Sequence, residues 1–297
     1  MTDQHRAYRF AIAAVVLWST VASAFKLTLQ HVSPVQLLFY ASLFSTLILA
    51  TVLTARGQLR VALACGARDY GRSLLLGLLN PLAYYLILFE AYDRLPAQEA
   101  QTLNYTWGLT LPLLSVPLLR QRIGKRDLVA LVLGYAGVFV ISTRGDVTGF
   151  RLSDPMGVGL ALGSAFIWAL YWIYNTKDQR DPVACLFLSF LLATPLTFAA
   201  YAILSDVALP SWRGLAGCAY VGAFEMSVTF SLWLAALKHS ENTAKVSTLI
   251  FASPFISLLL IRVFVGEAIL PSTILGLLLI VGGLTVQRIR AKGGQMA

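Results

Sequence analysis

The sequence predicts an all-α integral membrane protein of ten transmembrane helices, laid out as two five-helix repeats of inverted topology. Three observations predict it. Hydrophobic residues make up 58% of the 297 residues, charged residues only 12%, and mean hydropathy is +0.73, a surface that no water-soluble chain of this size could carry. The chain also restarts its own pattern halfway along. The stretch Asp154 to Thr176 has about 20 uncharged residues, enough to cross a ~30 Å hydrocarbon layer as a helix; laid beside Ala7 to Leu29, it sets Trp168 on Trp18 and, in the turn that follows, Pro182 on Pro34. The third observation is the alternation of basic residues between successive connections.

Ten apolar segments can be read in order. The first, Tyr8–Leu29, follows Arg6 and Arg9. It is too long for a signal-peptide core, has no small-residue cleavage site before the next span and belongs to the repeat, so it is expected to remain in the mature protein. The polar hinge Gln30–Ser33 leads into Pro34–Thr54, and the basic connection 55–72 into Ser73–Tyr92. Ala97–Leu119 and Leu128–Thr143 complete the first repeat, residues 1–145. The second, residues 146–297, holds Pro155–Asn175, Val183–Leu204 after the hinge Lys177–Pro182, Gly214–Leu237, Thr243–Ile261 and Ile269–Gln287. Nearly every gap is a short polar hinge that carries Pro, Gly or charge, and none is long enough for a soluble domain.

Lys and Arg set the orientation. With the N-terminus inside, the inner connections and ends collect 17 basic residues, among them Arg56, Arg60, Arg68 and Arg72, and the outer ones six, which together account for all 23. That bias places both termini in the cytoplasm of a bacterial inner membrane. It also explains the net charge of +9 without a nucleic-acid partner; the expected partners are the lipid bilayer and a small molecule, with the chain expected as a monomer.

Five spans per repeat force the second copy to enter from the opposite side, an arrangement that puts a substrate site near the bilayer midplane between the copies. Further correspondences agree. Gly77 and Asn80 fall on Gly222 and Glu225, both 145 positions on, while Pro112 falls on Pro254 and Gly124 on Gly266, both 142 positions on.

These residues make the chain similar to the drug/metabolite transporter superfamily and its paired EamA-type repeats. The end of the second repeat carries the resemblance, with Pro254 in mid-span and Gly266-Glu267 before the last helix. The first repeat departs from the pattern, since Lys125 follows Gly124. Within the superfamily, Leu17–Thr20 (LWST), Asn104–Trp107 (NYTW) and Ala165–Tyr171 (AFIWALY) resemble the YddG-type exporters of aromatic amino acids. The resemblance implies a basket of ten helices whose first, third, fourth, sixth, eighth and ninth members line a central cavity.

Several side chains on those helices are costly or unusual at membrane depth. Glu225 lies midway along the eighth span, where insertion of an ionised side chain costs about 2.5–3.5 kcal/mol. It either binds a substrate ammonium or carries a proton, or stays neutral and hydrogen-bonded to another helix, with Asn80 a natural partner. Glu90 and Glu99 read as interfacial. Amides in lipid need partners, so Asn80, Gln101 and Asn104 face protein or water; Gln101, Asn104, Tyr105 and Gly108 follow helical spacing along one side of the fourth span. Trp18, Trp107, Trp168 and Trp172 lie well inside their spans rather than at the interfaces where Trp collects. With Tyr84, Tyr171, Tyr220, Phe224 and Phe251 they are candidate substrate contacts, through stacking or cation–π attraction, or helix packing. Pro112 and Pro254, at matched places, are candidate gating hinges or fixed bends.

The residues fit a secondary transporter that exports small metabolites, foremost amino acids with aromatic preference, by alternating access. The alternatives are a broad drug or other metabolite carrier and a passive facilitator. An enzyme would need a nucleophile with its base, paired aspartates or a metal cluster at depth, whereas His5, His31 and His239 sit near span ends and no Asp lies in mid-span. No catalytic residue, cofactor or metal is expected. Cys65, Cys185 and Cys218 lack metal-ligand spacing and read as packing residues.

Overall fold

The computed structural model describes all residues except 1–2, 120–124, 147–151, 153, 176, 241–247 and 290–297. The described residues are helical throughout their regular structure, as the bilayer demands of backbone that cannot hydrogen-bond to water. In chain order the helices are α1 (Asp3–Leu29), α2 (Pro34–Ala55), α3 (Leu59–Leu63), α4 (Ala67–Gly77), α5 (Tyr84–Arg94), α6 (Ala97–Asn104), α7 (Trp107–Leu119), α8 (Lys125–Ser142), α9 (Pro155–Asn175), α10 (Pro182–Leu204), α11 (Trp212–Phe224), α12 (Val228–Lys238), α13 (Ser253–Leu260) and α14 (Pro271–Ile289). Among the described residues, six helical stretches are long and apolar enough to cross a membrane: Gln4–Leu29, Pro34–Ala55, Ala67–Arg94, Pro155–Asn175, Pro182–Leu204 and Trp212–Leu237. Leu128–Ser142, Leu249–Val265 and Pro271–Val286 are shorter apolar helices.

Four of the expected spans are interrupted, each at a residue that breaks the α-helical ladder. The third passes from α4 to α5 through a π-helical turn, Leu78–Ala83, in which Asn80 has extended dihedrals (φ −143°, ψ 115°) and the Asn80–Pro81 peptide is cis. The fourth breaks at Tyr105 and Thr106 between α6 and α7, so Gln101 and Asn104 stand on one helix and Gly108 on the next. The eighth breaks between α11 and α12, at Glu225–Ser227. The ninth starts as a 3₁₀ turn, Thr248–Ala252, continues as α13 and ends in a π turn, Ile261–Val265, closed by Gly266 at φ 78°. Pro254 stands in the first turn of α13, where its missing N–H leaves no helical bond unmade. Pro112 lies within α7; its side chain and Gly124 are outside the described residues.

The contacts divide the chain into two compact units. Unit 1, Met1–Phe89 with Asp178–Gly266, is held by α2 against α10 and α11, α4 against α10, and α1 against α11, α12 and α13. Glycine sets two of these approaches. A Cβ on Gly77 would lie 2.5 Å from the Ser189 carbonyl oxygen of α10, and one on Gly222 would lie 2.5 Å from the Ala41 carbonyl oxygen of α2. Between them Thr46 and Thr194 share a 3.0 Å hydrogen bond. Small residues at helix contacts are the means of association where lipid offers no hydrophobic driving force.

At one end of unit 1 Arg180 fastens the start of α10 to α4. Its guanidinium donates to both Asp178 carboxylate oxygens, at 2.6 Å for Nη2–Oδ2, and to the Asp69 carbonyl and Ser73 hydroxyl. The hydrogen bond from Arg180 holds the Asp178 carboxyl below its ordinary pKa, against the opposing effect of burial, and the same bond raises that of Arg180.

Unit 2, Glu90–Lys177 with Glu267–Ala297, is organised by α8 packed along α14, with α9 on α6 and α7. Gly137 and Gly276 face each other so closely that a Cβ on either would meet the other's carbonyl oxygen at 2.5 and 2.7 Å.

Candidate functional site

In unit 1 the candidate residues gather round the break in the eighth span. Ending α11 exposes carbonyls that the next turn would have used, and hydroxyls take them up. Ser227 Oγ donates to the Gly222 carbonyl at 2.7 Å, Thr229 Oγ1 to Phe224, and Ser45 of α2 to Met226 at 3.3 Å, with Ser45 and Ser227 also 2.8 Å apart. The break thereby holds Glu225 at a fixed place, 8% exposed, where Tyr85 Oη donates to its Oε1 at 2.9 Å.

Rings surround that carboxylate's neighbourhood. Trp18 of α1 packs edge-on to Phe230 at 5.6 Å between centroids and tilted against Trp233 at 5.6 Å. Tyr220 lies tilted against Phe224 at 4.7 Å, its hydroxyl 2.7 Å from Thr20 Oγ1, and Tyr84 meets Tyr85 at 4.7 Å. Phe251 is half-buried in the 3₁₀ turn before α13. A buried carboxylate among aromatic faces can receive a cation or a proton.

Asn80 does not partner Glu225. It is 1% exposed, and neither amide atom has a hydrogen-bond partner among the described residues. The carboxylate's partner is Tyr85, whose place follows from the π turn: one extra residue per turn moves the inward face from the fourth residue after Asn80 to the fifth. Phe230 and Trp233 were likewise absent from the sequence expectations, since the break shifts the register of everything after it in the eighth span.

In unit 2 the candidate rings form one cluster. Trp168 stacks on Tyr171 at 5.3 Å and meets Trp172 edge-on at 6.0 Å, and Trp172 lies parallel to Trp107 at 6.4 Å. Trp168 is 8% and Tyr171 3% exposed. On the neighbouring helix, Asn104 Nδ2 donates to Ser164 Oγ of α9 at 2.9 Å, and Tyr105 is half-buried at the end of α6. Within the cluster the buried Trp172 Nε1, and on α6 the buried Gln101 Oε1, have no hydrogen-bond partner among the described residues. An unpaired buried donor among flat apolar rings suits a planar ligand that carries a polar group.

Three carboxylates prove to be held by partners. Glu99, expected at the interface, is fully buried and paired with Arg144 at 2.7 Å, whereas Glu90 is partly exposed and paired with Arg94 on the same helix. Glu267, of the Gly-Glu pair, reaches the start of α6 and accepts from the Ala97 and Gln98 N–H groups at 2.8 and 3.3 Å. Pro96 supplies no side-chain cap there, so Glu267 caps α6 from another part of the chain and adds its charge to the helix dipole.

Comparison with known proteins agrees with this architecture. The EamA-like transporter family profile matches twice, at residues 5–143 and 155–287. An aromatic amino acid exporter, YddG, of Ancylobacter novellus is 27% identical over 94% of this chain and 96% of its own length. An uncharacterised transporter of Clostridium kluyveri is 23% identical over 94% of this chain and 91% of its own. Another, of Acidianus ambivalens, is 29% identical over 57% of this chain; that match spans 66% of the relative. A solved crystal structure shares the fold with a TM-score of 0.68 at 23% identity, over 97% of this chain and 98% of that one.

Proposed function

The chain belongs to the EamA-like transporter family, and from that premise we propose that it exports amino acids with aromatic side chains, and related small metabolites, by alternating access. The observation that carries the proposal is the cluster of Trp107, Trp168, Tyr171 and Trp172, with Trp172 Nε1 buried and unpaired among the described residues. Flat rings accept an aromatic side chain by stacking, worth roughly 0.5–1.5 kcal/mol per pair beyond burial, while an unpaired polar atom favours a ligand that also offers hydrogen bonds. Within unit 1, the buried Glu225 is by itself an acceptor for an ammonium group or a coupling proton. The exporter from Ancylobacter novellus, similar over nearly the whole chain, supports the same substrate class.

Alternating access rests on two inverted repeats of five spans each, 1–145 and 146–297, with both ends of the chain in the cytoplasm of a bacterial inner membrane. Matched contacts in unit 1 support the repeats. Gly77 and Gly222, 145 positions apart, meet the carbonyls of Ser189 and Ala41, 148 positions apart, at the same distance. Thr46 and Thr194, also 148 apart, bond to each other, as residues beside a two-fold axis do. The 17-to-6 distribution of basic residues supports the orientation.

The test is counterflow of labelled phenylalanine or tryptophan in proteoliposomes. A carrier gives saturable uptake stimulated by unlabelled substrate on the far side; linear flux without such stimulation would mean a passive pore. Trp168→Ala is expected to abolish the flux while the purified protein keeps its helicity, and unchanged flux would remove the aromatic cluster from the binding site.

A further inference from the structure

We propose that the connection between α2 and α4, with the first two turns of α4, is a binding site for an anionic phospholipid. The proposal starts from unused charge. Among the described residues Arg94, Arg144 and Arg180 are in ion pairs. Arg56, Arg60, Arg68 and Arg72 are in none, although they fall within 17 consecutive residues. Arg56, Arg60 and Arg68 are exposed and Arg72 half-buried, and the one acidic residue in the stretch, Asp69, faces Arg180 at 3.9 Å.

The spacing gives this charge a direction. Arg68, Arg72 and Leu75 follow one another at intervals of four and three, which places them along a single face of α4. Leu75 is 51% exposed, and Leu74 and Leu78 beside it are each 39% exposed. Exposed leucines on a helix that crosses a membrane are covered by acyl chains. The stripe thus runs from two guanidiniums at the polar end to bare hydrocarbon within two turns, the same order of chemistry as a phospholipid from its phosphate to its tails.

The preceding segment completes the polar end. The short helix α3 exposes Val61 (74%) and Leu63 (41%) on either side of the buried Ala62, and Tyr70 Oη donates to the Leu63 carbonyl at 2.9 Å, fixing α3 to α4. Apolar side chains exposed between arginines are the composition of a segment lying in the headgroup layer. Arg56 and Arg60 flank it, and a guanidinium fork suits a phosphate by paired hydrogen bonds. A phosphate with no hydrocarbon attached would leave Leu74, Leu75 and Val61 unexplained, so the site is assigned to a lipid carrying net negative charge rather than to a soluble anion.

The test uses the purified full-length chain, delipidated in detergent and titrated with phosphatidylglycerol or phosphatidylcholine of the same acyl chains, with bound lipid counted by native mass spectrometry. The parent is expected to prefer phosphatidylglycerol. Since each arginine near an anionic surface contributes roughly a fivefold gain, Arg68→Gln/Arg72→Gln is expected to weaken phosphatidylglycerol by about twentyfold and to leave phosphatidylcholine unchanged. Leu75→Asn should weaken both lipids. Arg262→Gln, which removes an exposed arginine elsewhere that has no ion pair among the described residues, should change neither. If the double variant does not fold, Arg68→Gln and Arg72→Gln are measured singly, each for about a fivefold loss. Equal affinity for the two lipids in the parent, an undiminished preference in the arginine variants, an equal loss in Arg262→Gln, or displacement of phosphatidylglycerol by millimolar inorganic phosphate would each overturn the proposal.

Discussion

Adding one methyl group at Gly77 or Gly222 tests how unit 1 is held together. In each case the new Cβ would lie 2.5 Å from a backbone carbonyl oxygen, Ser189 or Ala41, with Ala193 Cβ at 3.1 Å or Phe44 Cβ at 2.9 Å behind it. Ordinary contact begins at 3.4 Å, so the helices must part by about 0.9 Å. A carbonyl inside a helix cannot swing aside as a side chain can, and the whole ridge moves with it. Parting α4 from α10, or α11 from α2, forfeits dispersion contacts along the ridge, and overpacking of this kind costs about 1–3 kcal/mol. Reversible unfolding in mixed micelles, followed by helicity as denaturing detergent is added, should therefore show Gly77→Ala and Gly222→Ala destabilised by similar amounts. Gly159→Ala on α9 is the control, because a Cβ there meets nothing within 4 Å. If both variants match that control, close approach is not what holds these helices. If only one is destabilised, the two contacts are not equivalent and the argument for matched repeats fails.

Three further outcomes are expected. Glu267→Ala removes the acceptor for two N–H groups at the start of α6, and the cap's loss should cost about 1 kcal/mol and speed hydrogen exchange at Ala97 and Gln98; unchanged exchange would mean that water replaces the carboxylate without penalty. Asp178 has a lowered pKa because Arg180 bonds to its charged form, so its contribution to stability is present above the unfolded value of about 4 and is lost as pH falls through the lower folded value. Asp178→Asn should then be less stable than the parent across pH 5 to 8, with the gap closing only in acid; a gap that closes near neutrality would point to another group. Glu225→Gln keeps an oxygen for Tyr85 but carries no charge, so where export by the parent is driven by an imposed pH gradient, export by this variant should no longer respond to it. Gradient dependence identical to the parent's would make Glu225 a structural residue.

The membrane class and the location of most apolar helices are legible in the sequence because both follow from hydrophobicity summed over twenty residues, a quantity that single substitutions barely alter. The family follows from small and punctuating residues at fixed places, such as Gly266 and Glu267. Much less of the site is legible, and the breaks are the reason. Periodicity assigns faces by counting from a known residue, and a π turn at Leu78–Ala83 or an interruption at Glu225–Ser227 resets the count. Tyr84 is thus the reading a continuous helix gives, and Tyr85 is the residue that reaches Glu225. The cluster of Trp107, Trp168, Tyr171 and Trp172 survives the same difficulty because Trp168, Tyr171 and Trp172 share α9, which runs unbroken from Pro155 to Asn175. The pairing of Glu99 with Arg144 is not legible because the two residues are 45 positions apart, beyond any local pattern.

The two interruptions in unit 1 show why position in a repeat does not settle role. Both follow a glycine by three residues, at Asn80 after Gly77 and at Glu225 after Gly222. At the second, the hydroxyls of Ser45, Ser227 and Thr229 take up the freed carbonyls of Met226, Gly222 and Phe224, and Tyr85 binds the carboxylate. The corresponding positions round the first are Ala193, Leu82 and Tyr84, of which only Tyr84 carries a hydroxyl, and the Asn80 amide keeps neither a donor nor an acceptor partner among the described residues. A buried amide needs a partner, so the two interruptions, a π turn in the third span and a break closed by hydroxyls in the eighth, present different side-chain chemistry at matched positions.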